Sequence, residues 1–457
     1  MTGHLTSSPD GPPAPNPPHR FAVARTALTA IARSPGMLRL ALVRFAGQFG
    51  DGMFQAALSG AILFNPERAT DPLAIAAGFT VLLLPYSVIG PYAGALLDRW
   101  DRRLVLLVAN LLRGVLILVT AAGLLAGITD TPLLLLALAV IGISRFVLAG
   151  VSAALPRVLA QQWLVPMNSV LATAASGCAG AGAAAAVAII GGLGAGDFGS
   201  AVAVAVAAAG SVVGALAAYG FGRRALGPER AESAARSSVR AVATGLRTGA
   251  RAVWESRECT TAMIGIGTHR IVFGANTLLM VLVLRRTPAE GVSLSSGLVG
   301  FGVAIAAAAS GMLAAAVIAP VLIPRLGRPR TVAAGLATAV LVQLLLVTPI
   351  TVATGAAEPH AHHLLLAGAF LLGLAGQTIK LTGDATLQID IDDARRGQVF
   401  ALQDTVFNIT FVLAIAATAL LIPDDGRSPG VVLAGAAIYG LGIAAVTVNT
   451  RRHTLTR

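Results

Sequence analysis

Charged residues are scarce in this chain. Only 12% of its 457 residues are Asp, Glu, Lys or Arg, whereas 56% are hydrophobic and the mean hydropathy is +0.79. Soluble domains carry about 25% charged residues, so this chain is too apolar to cover its surface in water. The composition predicts an integral membrane protein.

Lysine and cysteine are nearly absent. Lys380 is the only lysine, so the net charge of +12 comes from arginine, and no basic and aromatic cluster resembles a nucleic-acid surface. Nucleic acid is therefore not an expected partner. The two cysteines, Cys178 and Cys259, lie in or beside apolar runs, which argues against a disulfide framework and against a zinc site.

The sequence also lacks the motifs of the main rival classes. No Walker loop occurs, so ATP-driven transport is not supported. Asp390-Ile-Asp392-Asp393 could hold magnesium in a membrane enzyme, but the cluster is single and Arg395 and Arg396 follow it at once. We therefore expect neither an enzyme nor a cofactor or metal.

Long apolar runs fill most of the chain. A helix needs about 20 apolar residues to cross the hydrocarbon core, and runs of this length without regular alternation predict helices rather than barrel strands. The sequence predicts twelve transmembrane helices, at 37–64, 72–97, 104–127, 131–155, 168–192, 198–221, 258–284, 293–322, 331–354, 362–388, 399–422 and 430–450.

The arginines predict the orientation of these spans. With the amino terminus in the cytosol, 24 arginines lie on the cytosolic side and four on the other, as the positive-inside rule requires. Arg285 and Arg286 are a local exception. Both termini are therefore expected in the cytosol, with the protein in the cell membrane.

Five segments follow from this layout. We expect a disordered cytosolic tail at 1–36 that is not a signal peptide, a six-helix bundle at 37–221, a cytosolic linker at 222–257, a second bundle at 258–450 and a tail at 451–457. The arginine-rich linker predicts either a solvated, partly helical segment on anionic headgroups or a partner-docking site. The halves resemble a weak repeat, so pseudo-two-fold symmetry and alternating access are expected.

The turn after the second span carries a motif. Gly94-x-x-x-Asp98-Arg99-x-x-Arg102-Arg103 resembles the signature loop of the major facilitator superfamily, except that Asp101 stands where glycine is usual. The resemblance implies that Asp98 meets the start of the eleventh helix and that the arginines pair with nearby acids. This conformational latch would join the two bundles, with Asp404 as a candidate acidic partner.

Three further stretches resemble one branch of that superfamily, the macrolide, multidrug and siderophore exporters. They are Gly47 to Gln55, Leu155 to Asn168 and Arg395 to Phe400. The resemblance implies a monomeric, proton-coupled antiporter that exports a small molecule. The glycine-proline motif of the fifth span in antiporters is absent, which leaves export less secure than transport.

Ionisable side chains in mid-membrane are costly and face a cavity or a partner. At 1.5 Å per residue, Asp51 lies about 20 Å from the cytosolic end of its span. Two interpretations are open for Asp51: a proton carrier or counter-charge for substrate, or a structural ion pair with Arg44. Gln48 and Gln55 flank it in the same motif and are candidate site residues as well.

The other central charges have the same two interpretations. Arg145 resembles the family's arginine tied to proton coupling, although Gly150 stands one position late. Lys380 and Asp384 are either a coupling pair or a weak neutral pair on one helix. His269 titrates in the right range but suits a packed core equally well, and Arg270 adjoins it.

The balance of central charges predicts the class of substrate. Arg113, Arg145, Arg270 and Lys380 outnumber Asp51 and Asp384. A site for lipophilic cations would need the reverse balance, so we expect an amphiphilic anion or zwitterion. A lipid or lysolipid flippase or importer, and a non-transporting sensor or scaffold, remain alternatives.

Overall fold

A computed structural model describes residues 35–63, 72–73, 75–80, 100–159, 164–194, 196–227, 239–286 and 297–451. Within these ranges the secondary structure is helical and no strand occurs. The helices are α1 (Pro35–Leu63), α2 (Arg102–Leu125), α3 (Asp130–Val158), α4 (Leu164–Leu193), α5 (Asp197–Tyr219), α6 (Val239–Glu255), α7 (Arg257–Arg286), α8 (Gly297–Leu326), α9 (Arg328–Val352), α10 (Glu358–Asp390), α11 (Asp393–Ala419) and α12 (Pro429–Arg451).

Local sequence explains where several helices begin or change. The Asp101 side chain accepts a hydrogen bond from the Arg103 backbone N–H and caps α2. Gly327 has a φ of 79°, which allows the sharp turn from α8 into α9. Helix α9 contains a π-helical segment, Gln343–Val347, that the apolar pattern did not predict.

Ten helices in the described ranges are long and apolar enough to cross a membrane. They correspond to ten of the twelve predicted spans, so the all-helical, multi-span prediction is confirmed and the number twelve is not. Helix α1 covers the first predicted span but is outside this set; its middle carries Gln48, Asp51 and Gln55. Most of the second predicted span lies outside the described residues.

The amino-terminal half packs around α1, which lies against α4 and α5, while α2 packs on α3 and α5. Small residues allow the closest approach. A Cβ on Gly52 would lie 2.0 Å from the Ala179 carbonyl oxygen, and one on Gly182 would lie 2.0 Å from the Phe49 carbonyl oxygen. Glycine is thus required on both sides of the α1–α4 crossing.

The carboxyl-terminal half packs around α7, which contacts α10, α11 and α12, while α8 lies along α10. The two halves meet where Phe79, from the described part of the second predicted span, packs edge-on against Phe411 of α11. Their ring centroids are 6.4 Å apart. Helices α4 and α8 also touch.

The predicted linker contains a docked helix. Ala252 and Val253 of α6 share an apolar cluster with Cys259, Leu387 and Val399 at the ends of α7, α10 and α11. A Cβ on Gly249 would lie 2.9 Å from the Gln398 carbonyl oxygen. The expectation of a merely solvated linker therefore needs correction for 239–255, because one face of α6 packs against the second half.

Candidate functional site

A buried polar cluster brings together α1, α2, α3 and α5. Asp51 of α1 accepts hydrogen bonds from Ser144 Oγ at 2.6 Å, from Arg113 Nη1 at 3.1 Å and from Gln48 Nε2 at 3.1 Å. Arg113 Nε also donates to Ser211 Oγ at 2.9 Å. Three donors and one opposite charge satisfy the Asp51 carboxylate, as a buried charge requires.

Arg113, not Arg44, is the partner of Asp51. The Asp51 and Arg113 side chains are 8% and 1% exposed, so the pair is out of contact with water. Arg44 Nε and Nη1 are buried without a hydrogen-bond partner. Spacing along α1 suggested Arg44, but α2 delivers an arginine from the side at the depth of Asp51. A Cβ on Gly47 would meet the Arg113 guanidinium at 3.6 Å, so glycine leaves room for it.

Two other predicted residues surround this cluster. Arg145 follows Ser144 on α3 and is close enough to Asp51 for the two charges to interact. Gln55 lies one turn beyond Asp51 and is half-buried. Its backbone carbonyl accepts a hydrogen bond from Ser59.

A second polar cluster lies between α10 and α11. Lys380 Nζ is 2.9 Å from Asp384 Oδ2, and Gln403 Nε2 donates to Asp384 Oδ1 at 2.7 Å. The two charged side chains are 29% and 24% exposed, so this pair is more accessible than Asp51 and Arg113. The predicted neutral pair on one helix therefore forms, with Gln403 as an added ligand of the carboxylate.

Arg270 lies in an aromatic cage. Its guanidinium carbon is 3.8 Å from the ring centroid of Phe407, 4.2 Å from that of Phe411 and 5.5 Å from that of Phe273. Nε donates to the Phe407 carbonyl oxygen at 3.1 Å. Among the residues that the structure describes, no carboxylate pairs with Arg270, although the residue is only 9% exposed.

His269 is a packed residue between α10 and α12. Its Nδ1 is 3.2 Å from the Tyr439 hydroxyl, and both rings are buried. A Cβ on Gly376 would lie 2.1 Å from His269 Nε2, so α10 covers the other side of the imidazole. The geometry matches the packing interpretation of His269 and places no charged partner beside it other than Arg270.

The predicted latch is described only in part, because Gly94, Asp98 and Arg99 lie outside the described residues. Arg102 Nη1 donates to the Ala153 carbonyl at 2.9 Å, and Arg103 Nη2 donates to the Tyr219 carbonyl at 3.0 Å. These carbonyls belong to the ends of α3 and α5, within the same half. Asp404 lies near Lys380 and Asp384 in the other half.

The sequence carries a family signature over most of its length: residues 40–414 match the model of the Major Facilitator Superfamily. The chain belongs to this superfamily. Its members are transporters, so the expectation of a multi-pass membrane transporter rather than an enzyme is confirmed.

Relatives agree with this superfamily assignment. Two uncharacterized MFS-type transporters, from Mycobacterium tuberculosis and Mycobacterium bovis, are each 43% identical over 427 residues, which cover 92% of either chain. Their names state no substrate. The exporter branch suggested by three short motifs is not confirmed by them.

Solved structures share the superfamily fold at low identity. The nucleoside transporter NupG is 14% identical with a TM-score of 0.65 and covers 91% of this chain and 98% of its own. The peptide transporter POT in complex with alafosfalin is 15% identical with a TM-score of 0.65 and covers 94% and 99%. These similarities concern the fold alone.

Several site residues were not predicted from the sequence. Ser144, Ser211 and Gln403 complete the two ion-pair clusters, and Phe407 and Phe411 form most of the Arg270 cage. Serine and phenylalanine are ordinary in apolar helices, so composition gives no reason to single them out. The one available signal was adjacency, since Ser144 precedes Arg145.

Proposed function

We propose that this protein is a proton-coupled secondary transporter that exports an amphiphilic anion or zwitterion by alternating access. It would act as a monomer in the cell membrane, with twelve spans and both termini in the cytosol. Export and the cytosolic termini rest on the motif resemblance and the arginine distribution, respectively. The two packed halves and the central charges support the transport mechanism.

One observation supports the charge of the substrate above all others. Two of the central cations have a carboxylate partner: Arg113 pairs with Asp51, and Lys380 pairs with Asp384. Arg270 has no such partner in the described part of the chain. A buried cation with no counter-charge is costly, and an anionic substrate would supply that charge in the bound state.

The proton role is assigned to Asp51. Protonation of its carboxylate would weaken the attraction to Arg113 and so change the contact between α1 and α2. Such an ion pair is a two-state element that a proton can bias. The Lys380 and Asp384 pair, with Asp404 close by, is the second candidate for coupling.

A lipid or lysolipid flippase or importer is the second candidate function. The cavity described below is lined by aromatic and aliphatic side chains, which suits an acyl tail. A flippase of this kind would use the same anion site, so the two candidates differ in the lipid headgroup and in the direction of movement.

Thermal stabilisation by defined ligands tests the charge prediction. Purified protein in a non-ionic detergent would be heated with matched amphiphiles that share an alkyl tail and carry an anionic, zwitterionic or cationic head. We expect the anionic and zwitterionic compounds to raise the unfolding temperature. Stabilisation by the cationic series alone would contradict the proposal.

A further inference from the structure

Arg270 has unused hydrogen-bonding capacity. A guanidinium carries five N–H donors and stays charged at any physiological pH. In the described structure only Nε donates, to the Phe407 carbonyl, and the contacts of the rest are with aromatic rings. The Nη1 and Nη2 edge, which is suited to two parallel bonds with an oxyanion, has no protein partner there.

Aromatic contacts do not replace that partner. Each cation–π contact is worth about 0.5 to 2 kcal/mol, whereas desolvating an unpaired charge costs several kcal/mol. Arg113 shows what this protein does for a buried structural arginine: it supplies Asp51, Ser144 and Ser211. The cage around Arg270 supplies none of these.

An apolar cavity lies on the far side of two cage rings. Its volume is about 260 Å³, and Phe273 and Phe411 form part of its wall. The cavity continues along α7 towards the Arg286 end, past Asn276, Thr277 and Met280. Phe79 of the other half closes it.

We propose that Arg270 binds the oxyanion head of the substrate and that this cavity binds its apolar tail. The ligand class is a carboxylate or phosphate monoester on a single alkyl or aryl tail. The inference rests on the proposed transport function and adds the location of the site. Because Phe79 belongs to one half and Arg270 to the other, the complete site exists only while the halves are in contact here.

Equilibrium binding tests the site without any gradient. The probe is a dansyl-labelled medium-chain fatty acid, and its methyl ester has the same tail without the charge. A phosphate monoester with that tail distinguishes lysolipid-like heads from carboxylates. The full chain in nanodiscs would be titrated with each compound by dansyl fluorescence, with empty nanodiscs as background.

Four variants separate the head and tail contributions. Arg270→Gln should weaken acid binding about tenfold and leave the ester unchanged, and Arg270→Lys should weaken acid binding about threefold, because a lysine cannot form the bidentate contact. Arg44→Gln removes another buried arginine with unsatisfied nitrogens and should change neither affinity. Ala369→Phe, which adds volume to the cavity wall, should weaken the acid and the ester alike.

The outcomes are distinguishable from failure of the transport proposal. If Arg270→Gln binds the acid as tightly as the native chain does, or if acid and ester bind equally to the native chain, the site is wrong even where anions are transported. If Arg270→Gln loses both ligands and its unfolding temperature falls, Arg270 is structural and the inference is overturned. Binding with the expected pattern but without any flux would instead reject transport and retain the site.

Discussion

At the scale of single residues, the central charges divide into paired and unpaired groups. Asp51 and Arg113 form a pair completed by two serines and a glutamine, so each charge has its hydrogen bonds. Lys380 and Asp384 form a more exposed pair. Arg270 is enclosed by rings instead. Identical residue types therefore have different roles, which the contacts decide.

The Asp51 and Arg113 pair makes a prediction about stability. Asp51→Asn keeps the shape but leaves Arg113 as an uncompensated buried cation, and breaking a buried pair from one side costs about 3 to 5 kcal/mol. The unfolding temperature of Asp51→Asn should therefore fall clearly in a thermal unfolding assay.

The double variant Asp51→Asn with Arg113→Met is the matched control. It removes both charges and should recover most of the lost stability, because no unpaired charge remains. Equal destabilisation by the single and double variants would show that the Ser144 and Ser211 contacts, not the charge pair, maintain this cluster.

At the scale of helices, the glycines of α4 are not equivalent. The sequence suggested one small-residue face made by Gly177, Gly180, Gly182, Gly191 and Gly192. Only Gly182 of these five meets another helix, and nothing lies within 4 Å of a Cβ at the other four. Spacing along α4 identifies small residues, whereas the rotation of α4 against α1 determines which one is needed.

Gly182→Ala and Gly180→Ala form a matched pair on one helix. The alanine methyl at 182 would lie 2.0 Å from the Phe49 carbonyl oxygen, and forced overpacking costs about 1 to 3 kcal/mol. We expect Gly182→Ala to lower the unfolding temperature and the yield of monodisperse protein. Gly180→Ala should match the native chain or exceed it, because alanine favours helix.

At the scale of the whole molecule, hydropathy and arginine placement predicted most of the architecture. Ten of the predicted spans appear as helices of suitable length and composition. Helix α1 escapes that criterion because the polar residues that make it functionally interesting also reduce its hydropathy. The docking of α6 and the π-helical segment of α9 were not predictable, because both depend on contacts with distant helices.

The candidate site was predictable in its charges but not in its pairing. Periodicity places Asp51, Arg113 and Arg145 at similar depth, yet depth alone does not say which helices are neighbours. Arg44 was the expected partner because it lies on the same helix. Tertiary packing determines that α2 contributes the arginine instead, and it also assembles the Phe407 and Phe411 rings around Arg270.

The contact between Phe79 and Phe411 makes a prediction about alternating access. In a chain lacking Cys178 and Cys259, the variant Phe79→Cys with Phe411→Cys should be bridged by a short, reducible methanethiosulfonate cross-linker. Bridging should stop substrate movement, because the halves can no longer separate, and reduction should restore it.

The control for this cross-link lies within one half. Phe273 and Phe411 have ring centroids 6.1 Å apart, so Phe273→Cys with Phe411→Cys alters the same cavity wall without joining the halves. The within-half bridge should leave flux at the level of its own reduced form. Equal inhibition by both bridges would show that cavity damage, not locking, explains the effect.

The central claim is that proton movement drives an amphiphilic anion through this protein by way of Asp51. The direct measurement is flux of a dansyl-labelled alkyl sulfonate, which stays ionised and does not cross bilayers as a neutral acid, in proteoliposomes under an imposed pH gradient. The native chain should accelerate its movement, and Asp51→Asn should lose the response to the gradient while retaining downhill exchange. Gradient-driven flux that is unchanged in Asp51→Asn would contradict the account.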